Sequence, residues 1–407
     1  MKFFSSPLVI SYLIVFLPRI ILLFLAFSQL ISLPISNEYL LIFQEDIKLN
    51  AYIYPGYWFY SYLLKCLTFD QPILMACLQV MITSFLGTLI YLISNIVGLS
   101  HKKRFLSVLC VALHPYILST TIFQAQTSIS ITVTVWLFYV ALKWVENPRI
   151  RYSIYFALVI SIAFFFRSYF VLFPFVCIGL ITYFKQKKFK SSNILWNSWR
   201  QITIVSITLL FFMVLTITSA KYVLSQLGRP IMPPVFGINF FIGQNNHVHI
   251  YAKKHDISTW LEDVLKHYPL PDTLTPQERD RQYLKMALTY IKENPYQALI
   301  NIGYKSYRFL DYRLDDSDNV GFVKNMLYTI PYIIYFPLFL IGIRLFSRSN
   351  TLIGITMVSL LTVFFGVHIL LHGGVRHRIY VDSIFIIFAF FGFDYCKAKI
   401  KSIINTK

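Results

Sequence analysis

Acidic residues are scarce in this chain. Of its 407 residues only 18 are Asp or Glu, against 37 Lys and Arg, and charged residues of all kinds make up 14%. A soluble globular domain carries roughly 25% charged residues, so an ordinary water-facing surface is excluded. The excess cations are not gathered on one polar face, as nucleic-acid binders require. They lie in short loops beside apolar runs, which argues against a nucleic-acid partner. Cysteine is also sparse: Cys66, Cys77, Cys110, Cys177 and Cys396 all fall in or beside apolar segments. The long polar stretch near 223–324 therefore has no disulfide framework, and the five thiols read as small buried hydrophobes. A Gly-rich phosphate loop, a dinucleotide fingerprint and a Ser/His/Asp pattern are missing, which argues against soluble nucleotide chemistry. There is no Asn-x-Ser/Thr sequon, no repeat of fixed period and no low-complexity tract. The missing sequon points to a bacterial source.

What remains is apolar. Hydrophobic residues make up 57% of the chain, in runs near the roughly 20 residues a membrane helix needs. The pattern predicts an all-α polytopic membrane protein with about ten spans, near 11–33, 72–98, 105–122, 126–145, 152–166, 169–184, 201–223, 326–345, 351–371 and 379–396. The first has no small-residue cleavage site and reads as a retained span. The fifth and sixth, parted only by Arg167 and Ser168, predict a tight hairpin. Basic clusters at His101–Arg104, Lys143–Arg151, Lys185–Lys190 and Lys397–Ser402 all fall on one side if both termini are cytoplasmic. Three segments then face outward: 34–70, 223–324 and the turn His372–Arg378. This gives an N-terminal membrane module (1–222, with first outer loop 34–70), an outer loop domain (223–324) and a C-terminal membrane module (325–407). The outer domain reads as small and mainly helical, with a helix start at Thr275-Pro276-Gln277-Glu278.

The candidate chemistry gathers on the outer side. Glu38 follows the first span, with Glu45 and Asp46 a few residues on, then an aromatic run from Tyr52 to Tyr60 that suits a membrane interface. These acids are either solvated loop charges or include a general base for an acceptor hydroxyl. Arg19 lies within the first span and must face the bundle or snorkel. With Arg167, Arg376 and Arg378 it makes a set of cations able to hold a phosphate through charge-assisted hydrogen bonds; lipid-headgroup contacts are the plainer alternative. His368, His372 and His377, and separately His247 and His249, have spacings that a metal could use, though interfacial histidines more often only hydrogen-bond.

In order and sidedness these residues resemble the GT-C superfamily of integral-membrane glycosyltransferases, in particular the glycosyltransferase family 39 type related to protein mannosyltransferases and the lipid A aminoarabinose transferase. Arg19 followed by Glu38-Tyr39 matches that pattern, as does the return through Tyr54-Pro55-Gly56-Tyr57. Gly237-x-Asn239-x-x-x-Gly243-x-Asn245 and the helix ending at Asn294-Pro295 match closely. Phe166-Arg167 resembles the family's threonine-arginine pair. Departures are His114-Pro115 in place of an Asn-Pro-like pair, Gln124 and Gln126 where an acid would follow, and Arg376-His377-Arg378-Ile379-Tyr380 in place of Arg-Tyr-Arg-Leu-Pro.

The resemblance implies a polyprenyl-phosphate sugar donor used at the outer face of a membrane, in bacteria the inner (plasma) membrane. The acceptor would be a glycan, lipid or protein hydroxyl, with membrane lipids around the site. Glu38 would be the base of an inverting single displacement. Arg376 and Arg378, with Arg167 and Arg19, would hold the donor phosphate. Tyr39, Glu45, Asp46, Tyr54, Asn239, Asn245, His372 and His377 would support them. No cofactor is required; a divalent metal, which assists some relatives, is compatible with the sequence. Two other readings are an O-antigen-type polymerase or ligase with a pyrophosphate-linked donor, and a lipid or glycan transporter; against the latter, no inverted repeat is visible.

Overall fold

The structure is a computed structural model. It describes residues 6–28, 54–69, 71–123, 125–188, 194–226, 232–248, 266–271, 273–312, 322–349, 351–371 and 373–405. Among these residues every regular element is helical. In chain order they are α1 (Pro7–Phe27), α2 (Pro55–Thr68), α3 (Pro72–Thr83), α4 (Phe85–Ile96), α5 (His101–Ala112), α6 (Pro115–Phe123), α7 (Ala125–Glu146) and α8 (Ile150–Phe166). After a 3-10 turn (Ser168–Leu172) come α9 (Phe173–Lys188), α10 (Ile194–Gln226), α11 (Phe236–Ile242), α12 (Pro276–Glu293), α13 (Pro295–Leu310), α14 (Phe322–Ser349), α15 (Thr351–Leu370) and α16 (Val375–Asn405). Proline opens α1, α2, α3, α6, α12 and α13, where its missing N–H costs no helical bond.

Seven helical segments are long and apolar enough to cross a membrane: Pro7–Ala26, Pro72–Ile96, Gln126–Glu146, Ile202–Gln226, Asn325–Arg348, Leu352–Leu370 and His377–Ser402. Ile150–Phe166 and Ser168–Phe184 are shorter apolar segments. The chain is thus an all-α protein of membrane-spanning character, and helices suit that solvent because they satisfy their own backbone polar groups.

Two expectations change. The stretch 105–122 is not one continuous helix: it breaks at Leu113-His114 between α5 and α6. Pro115 lacks the N–H that would continue the ladder and disfavours helical geometry at His114. The hairpin predicted at Arg167 also does not form. The chain turns through the 3-10 segment, after which α8 packs on α7 and α10 while α9 packs on α15 and α10.

The most enclosed span is α7, wrapped by α4, α8, α15 and α16. Its buried Thr127, Ser128, Ser130, Thr132 and Thr134 are small enough to let neighbours approach. Two of their hydroxyls bond back into the helix, Thr134 to Ser130 O (2.7 Å) and Thr132 to Ser128 O (3.2 Å). Trp144 Nε1 donates to Ser153 Oγ on α8 at 2.8 Å. The most extensive contact joins α14 and α16 through stacked aromatics, including Phe339 on Phe385 with ring centroids 4.0 Å apart. An ion pair between Lys103 and Asp394 ties α5 to the far half of α16. Of the cysteines only Cys177 is fully buried; Cys66 and Cys110 are exposed, and none is paired.

The segment expected as a small helical domain contains α11, α12 and α13, with an apolar centre of its own at Phe241, Ile242, Val248, Tyr283 and Ala287. The predicted helix start is realised as a capping box. The Thr275 hydroxyl accepts from Glu278 N (3.3 Å), and the Glu278 carboxylate accepts from Thr275 N (2.8 Å). From there α13 lies against α15 and α16 at one end of the bundle.

Candidate functional site

At that end, three sequence-distant segments meet at Arg167. The chain leaves α8 with Arg167 in extended geometry (φ −154°, ψ 107°), its N–H still bonded to Ala163 O at 2.8 Å. The start of α2 packs directly on this corner. A Cβ on Gly56 would stand 2.8 Å from the Phe165 carbonyl carbon, so only glycine permits the approach. That contact brings the Tyr54 ring to 5.3 Å from the Arg167 guanidinium. From α16, Tyr380 places its ring at 5.3 Å and its hydroxyl 2.6 Å from Nη2, which donates to it. Two ring faces and one hydroxyl hold the guanidinium by cation–π attraction and one hydrogen bond. Its Nε is buried with no hydrogen-bond partner among the described residues, and so is the Tyr169 hydroxyl. Tyr169 packs edge-on to His368 (5.0 Å), which lies 5.0 Å from the His377 ring.

Arg378 is engaged very differently. It is fully buried on α16. Nη1 donates to the carbonyls of Phe309 (3.1 Å) and Asp311 (2.6 Å), Nε to Asp382 (3.2 Å), and Nη2 to the Tyr328 hydroxyl. The Tyr332 ring centroid lies 3.7 Å from its guanidinium carbon. Arg378 thus ties the end of α13 to α14 and α16. The partner Asp382, absent from the expected site, had a signal in the sequence: an acid four residues after an arginine within an apolar span shares its helix face. Arg19 faces the bundle, 1% exposed, and donates to Thr83 Oγ1 at 2.8 Å; its place is the α1–α3 contact.

The Gly-x-Asn pattern has a packing role. A Cβ on Gly237 would stand 1.9 Å from Asp280 O, and one on Gly243 1.6 Å from Leu371 O. Asn245 donates to Phe241 O and Ile242 O (2.8 and 3.0 Å), accepts from His247 N (2.7 Å), and offers its own carbonyl to Asn301 Nδ2 (3.1 Å). Asn239 is half-buried on α11. Beneath this turn lies Lys305, a residue with no sequence signal. Its ammonium donates to Leu370 O (2.9 Å) and Leu371 O (3.3 Å) at the C-terminus of α15, where helix dipole and orphan carbonyls favour a cation. Burial pulls its pKa down to about 7.

A groove of about 390 Å³ opens between the α5–α6 break, α14 and α16, lined by Leu109, Leu113, Pro115, Ile334, Leu338, Ile386 and Phe390 among others. His114 and Tyr335 also line it. The His114 Nδ1 accepts from Ile117 N at 3.4 Å, which puts the neutral ring's proton on Nε2. That nitrogen is buried without a partner among the described residues.

Glu38, Tyr39, Glu45, Asp46 and His372 lie outside the described residues, as does the Arg376 side chain, although its backbone belongs to α16. Of the expected site, Tyr54 and Arg167 come together, with His377 in the adjoining aromatic cluster; Arg19, Arg378, Asn239 and Asn245 belong to other contacts. Tyr169, Tyr380 and His114 were not anticipated as site residues. Among the described residues no group of three or more His, Cys, Asp or Glu is placed to hold a metal. His247 faces His267 at 4.7 Å, and His249 is outside the described residues. Comparison of the sequence with protein-family models and with curated proteins gives no match.

Proposed function

We propose that the protein is a membrane glycosyltransferase that moves a sugar from a polyprenyl-phosphate donor to an acceptor hydroxyl on the outer face of a bacterial inner membrane. The observation that carries this reading is Arg167, a guanidinium held by two tyrosine rings with its Nε edge unpartnered among the described residues. It sits where the first outer segment, the α8 corner and the start of α16 converge. An arginine so placed presents donors to a phosphate oxygen. The resemblance supplies the remaining roles. Glu38 takes the acceptor proton, the acceptor oxygen bonds to the anomeric carbon, and the bond to phosphate breaks with its electron pair leaving on the lipid phosphate. Arg167 stabilises that growing charge. The apolar groove beside α14 and α16 is of a size that suits an isoprenoid or acyl chain.

The test uses the purified full chain in nanodiscs with labelled polyprenyl-phosphate hexose or pentose, scoring release of lipid phosphate and transfer of label. Glu38→Gln is expected to lose about 10²- to 10⁴-fold in rate, and Arg167→Gln to lose turnover without loss of fold. Full activity of Glu38→Gln would favour a pyrophosphate-linked donor instead. Movement of the labelled lipid between leaflets with no bond made would favour transport.

A further inference from the structure

The helix α13 is built inside out. In water an amphipathic helix turns its charges outward and its apolar stripe to the core. Here the only two charged residues of the helix, Lys305 and Arg308, are 0% and 2% exposed, and Asn301 is 0% exposed. Ala298 and Phe309 pack inward beside them, but other apolar and aromatic residues face away: Tyr296 is 77% exposed, Leu299 65% and Leu310 39%. At 3.6 residues per turn these three, with exposed Gly303, fall within an arc of about 60°, opposite the arc of the buried cations. No charged residue lies on that arc. Such a stripe is ordinarily covered.

We infer that the outer face of α13 lies in lipid at the membrane–water interface. Its junction with a helix apolar enough to span favours lipid as the occupant: the Tyr332 hydroxyl of α14 donates to Leu310 O at the end of α13 at 2.9 Å. The next helix, α14, contains a span, and Met326, Leu327 and Ile330 near its start are exposed apolar residues. Tyrosine beside leucine is also the composition of an interfacial anchor. The chemistry of attachment is specific. The cations of α13 are occupied inside the protein, Lys305 by Leu370 O and Leu371 O, Arg308 by Asp311 at 3.2 Å. The contact is therefore apolar and aromatic, not electrostatic, and indifferent to lipid headgroup charge. Because Lys305 holds the end of α15 and Arg378 holds the end of α13, this anchor fixes the turn leading into α16 at headgroup depth. The inference rests on the membrane-spanning character of the chain and not on the transferase reading.

The experiment places a nitroxide label at Leu299→Cys and Leu310→Cys, in a full chain whose five native cysteines are replaced, in nanodiscs of phosphatidylcholine alone and with added phosphatidylglycerol. A label at Glu293→Cys is the water-facing control, and Tyr296→Cys stands in for either site if its labelled chain is not monodisperse. Collision with oxygen is expected to exceed collision with an aqueous nickel chelate at 299 and 310, with the reverse at 293, equally in both lipids. Nickel-dominated collision at 299 and 310 would put the face in water. Shielding from both reagents would put it under protein, a second copy or another chain. Either result overturns the proposal, as does a depth that changes with anionic lipid.

Discussion

Replacing Arg378 by methionine separates a structural arginine from a phosphate-binding one. The side chain is fully buried and four of its N–H groups are accounted for by two carbonyls, one carboxylate and one hydroxyl. Methionine keeps most of the volume and removes every donor. Asp382, with its side chain also 0% exposed, then loses its cation partner. Removing one member of a buried ion pair costs about 3–5 kcal/mol, and each carbonyl left unsatisfied adds about 1–3 kcal/mol where water cannot reach it. These terms overlap, so the expected loss is about 4–6 kcal/mol. It is read as a fall in unfolding midpoint during denaturant titration of the detergent-solubilised protein. The second arm is the double variant Arg378→Met, Asp382→Leu. Removing both charges leaves no buried ion, so the double variant should recover a large part of the loss, because a buried pair replaced by apolar groups is often near neutral. A single variant as stable as the parent, or a double variant no better than the single, refutes the assignment of Arg378 to the fold.

Two further outcomes follow from the turn that precedes α16. Gly243→Ala puts a methyl 1.6 Å from Leu371 O, backbone against backbone, so the protein should express poorly or unfold early, whereas Gly303→Ala, with open space at its Cβ, should be neutral or slightly stabilising through helix propensity. Lys305, lowered from 10.5 to about 7 by burial, holds fewer protons folded than unfolded between those values, so stability should rise as pH is raised from 7 toward 10. The two carbonyl acceptors support the ammonium and limit the rise. The pH slope should flatten in Lys305→Met, and an unchanged slope would remove Lys305 as its source.

Membrane character was legible in the sequence because it depends on composition over windows of about 20 residues, and the capping box at Thr275 was legible because its four residues are contiguous. Failures arose where distant contacts decide. Hydropathy stays high across His114-Pro115 and hides the helix break there, although Pro115 carries the geometric warning. The charge at Arg167 marks a break between two apolar runs, but a hairpin drawn around it ignores that α8 and α9 find better partners than each other. The glycines at 237 and 243 stand out as part of a family-like motif, and in the fold they permit close backbone approach to α12 and the α15 end. Lys305 was invisible: nothing local marks a lysine that caps another helix 65 residues later.

Arg167 and Arg378 looked alike in the sequence, each a lone cation next to apolar residues and on the same expected side. The fold distinguishes them by the kind of partner each receives. Hydrogen-bond acceptors occupy the edge of a guanidinium, whereas aromatic rings occupy its faces. At Arg378 the edge is filled by carbonyl, carboxylate and hydroxyl oxygens, which leaves little for a ligand. At Arg167, among the described residues, two rings take the faces and a single hydroxyl takes part of the edge, which leaves the Nε donor for an incoming oxygen. The two substitutions should therefore act on different quantities. Arg378→Met lowers the unfolding midpoint, and whatever activity survives scales with the folded fraction. Arg167→Gln loses one hydrogen bond to a tyrosine hydroxyl and the cation–π attraction of two rings, about 2–3 kcal/mol together, a smaller loss than at Arg378, and it should in addition slow turnover of the proposed polyprenyl-phosphate donor. If Arg167→Gln unfolds the protein as far as Arg378→Met does, its open edge is not a binding feature, and the corner at α8 is one more internal tie.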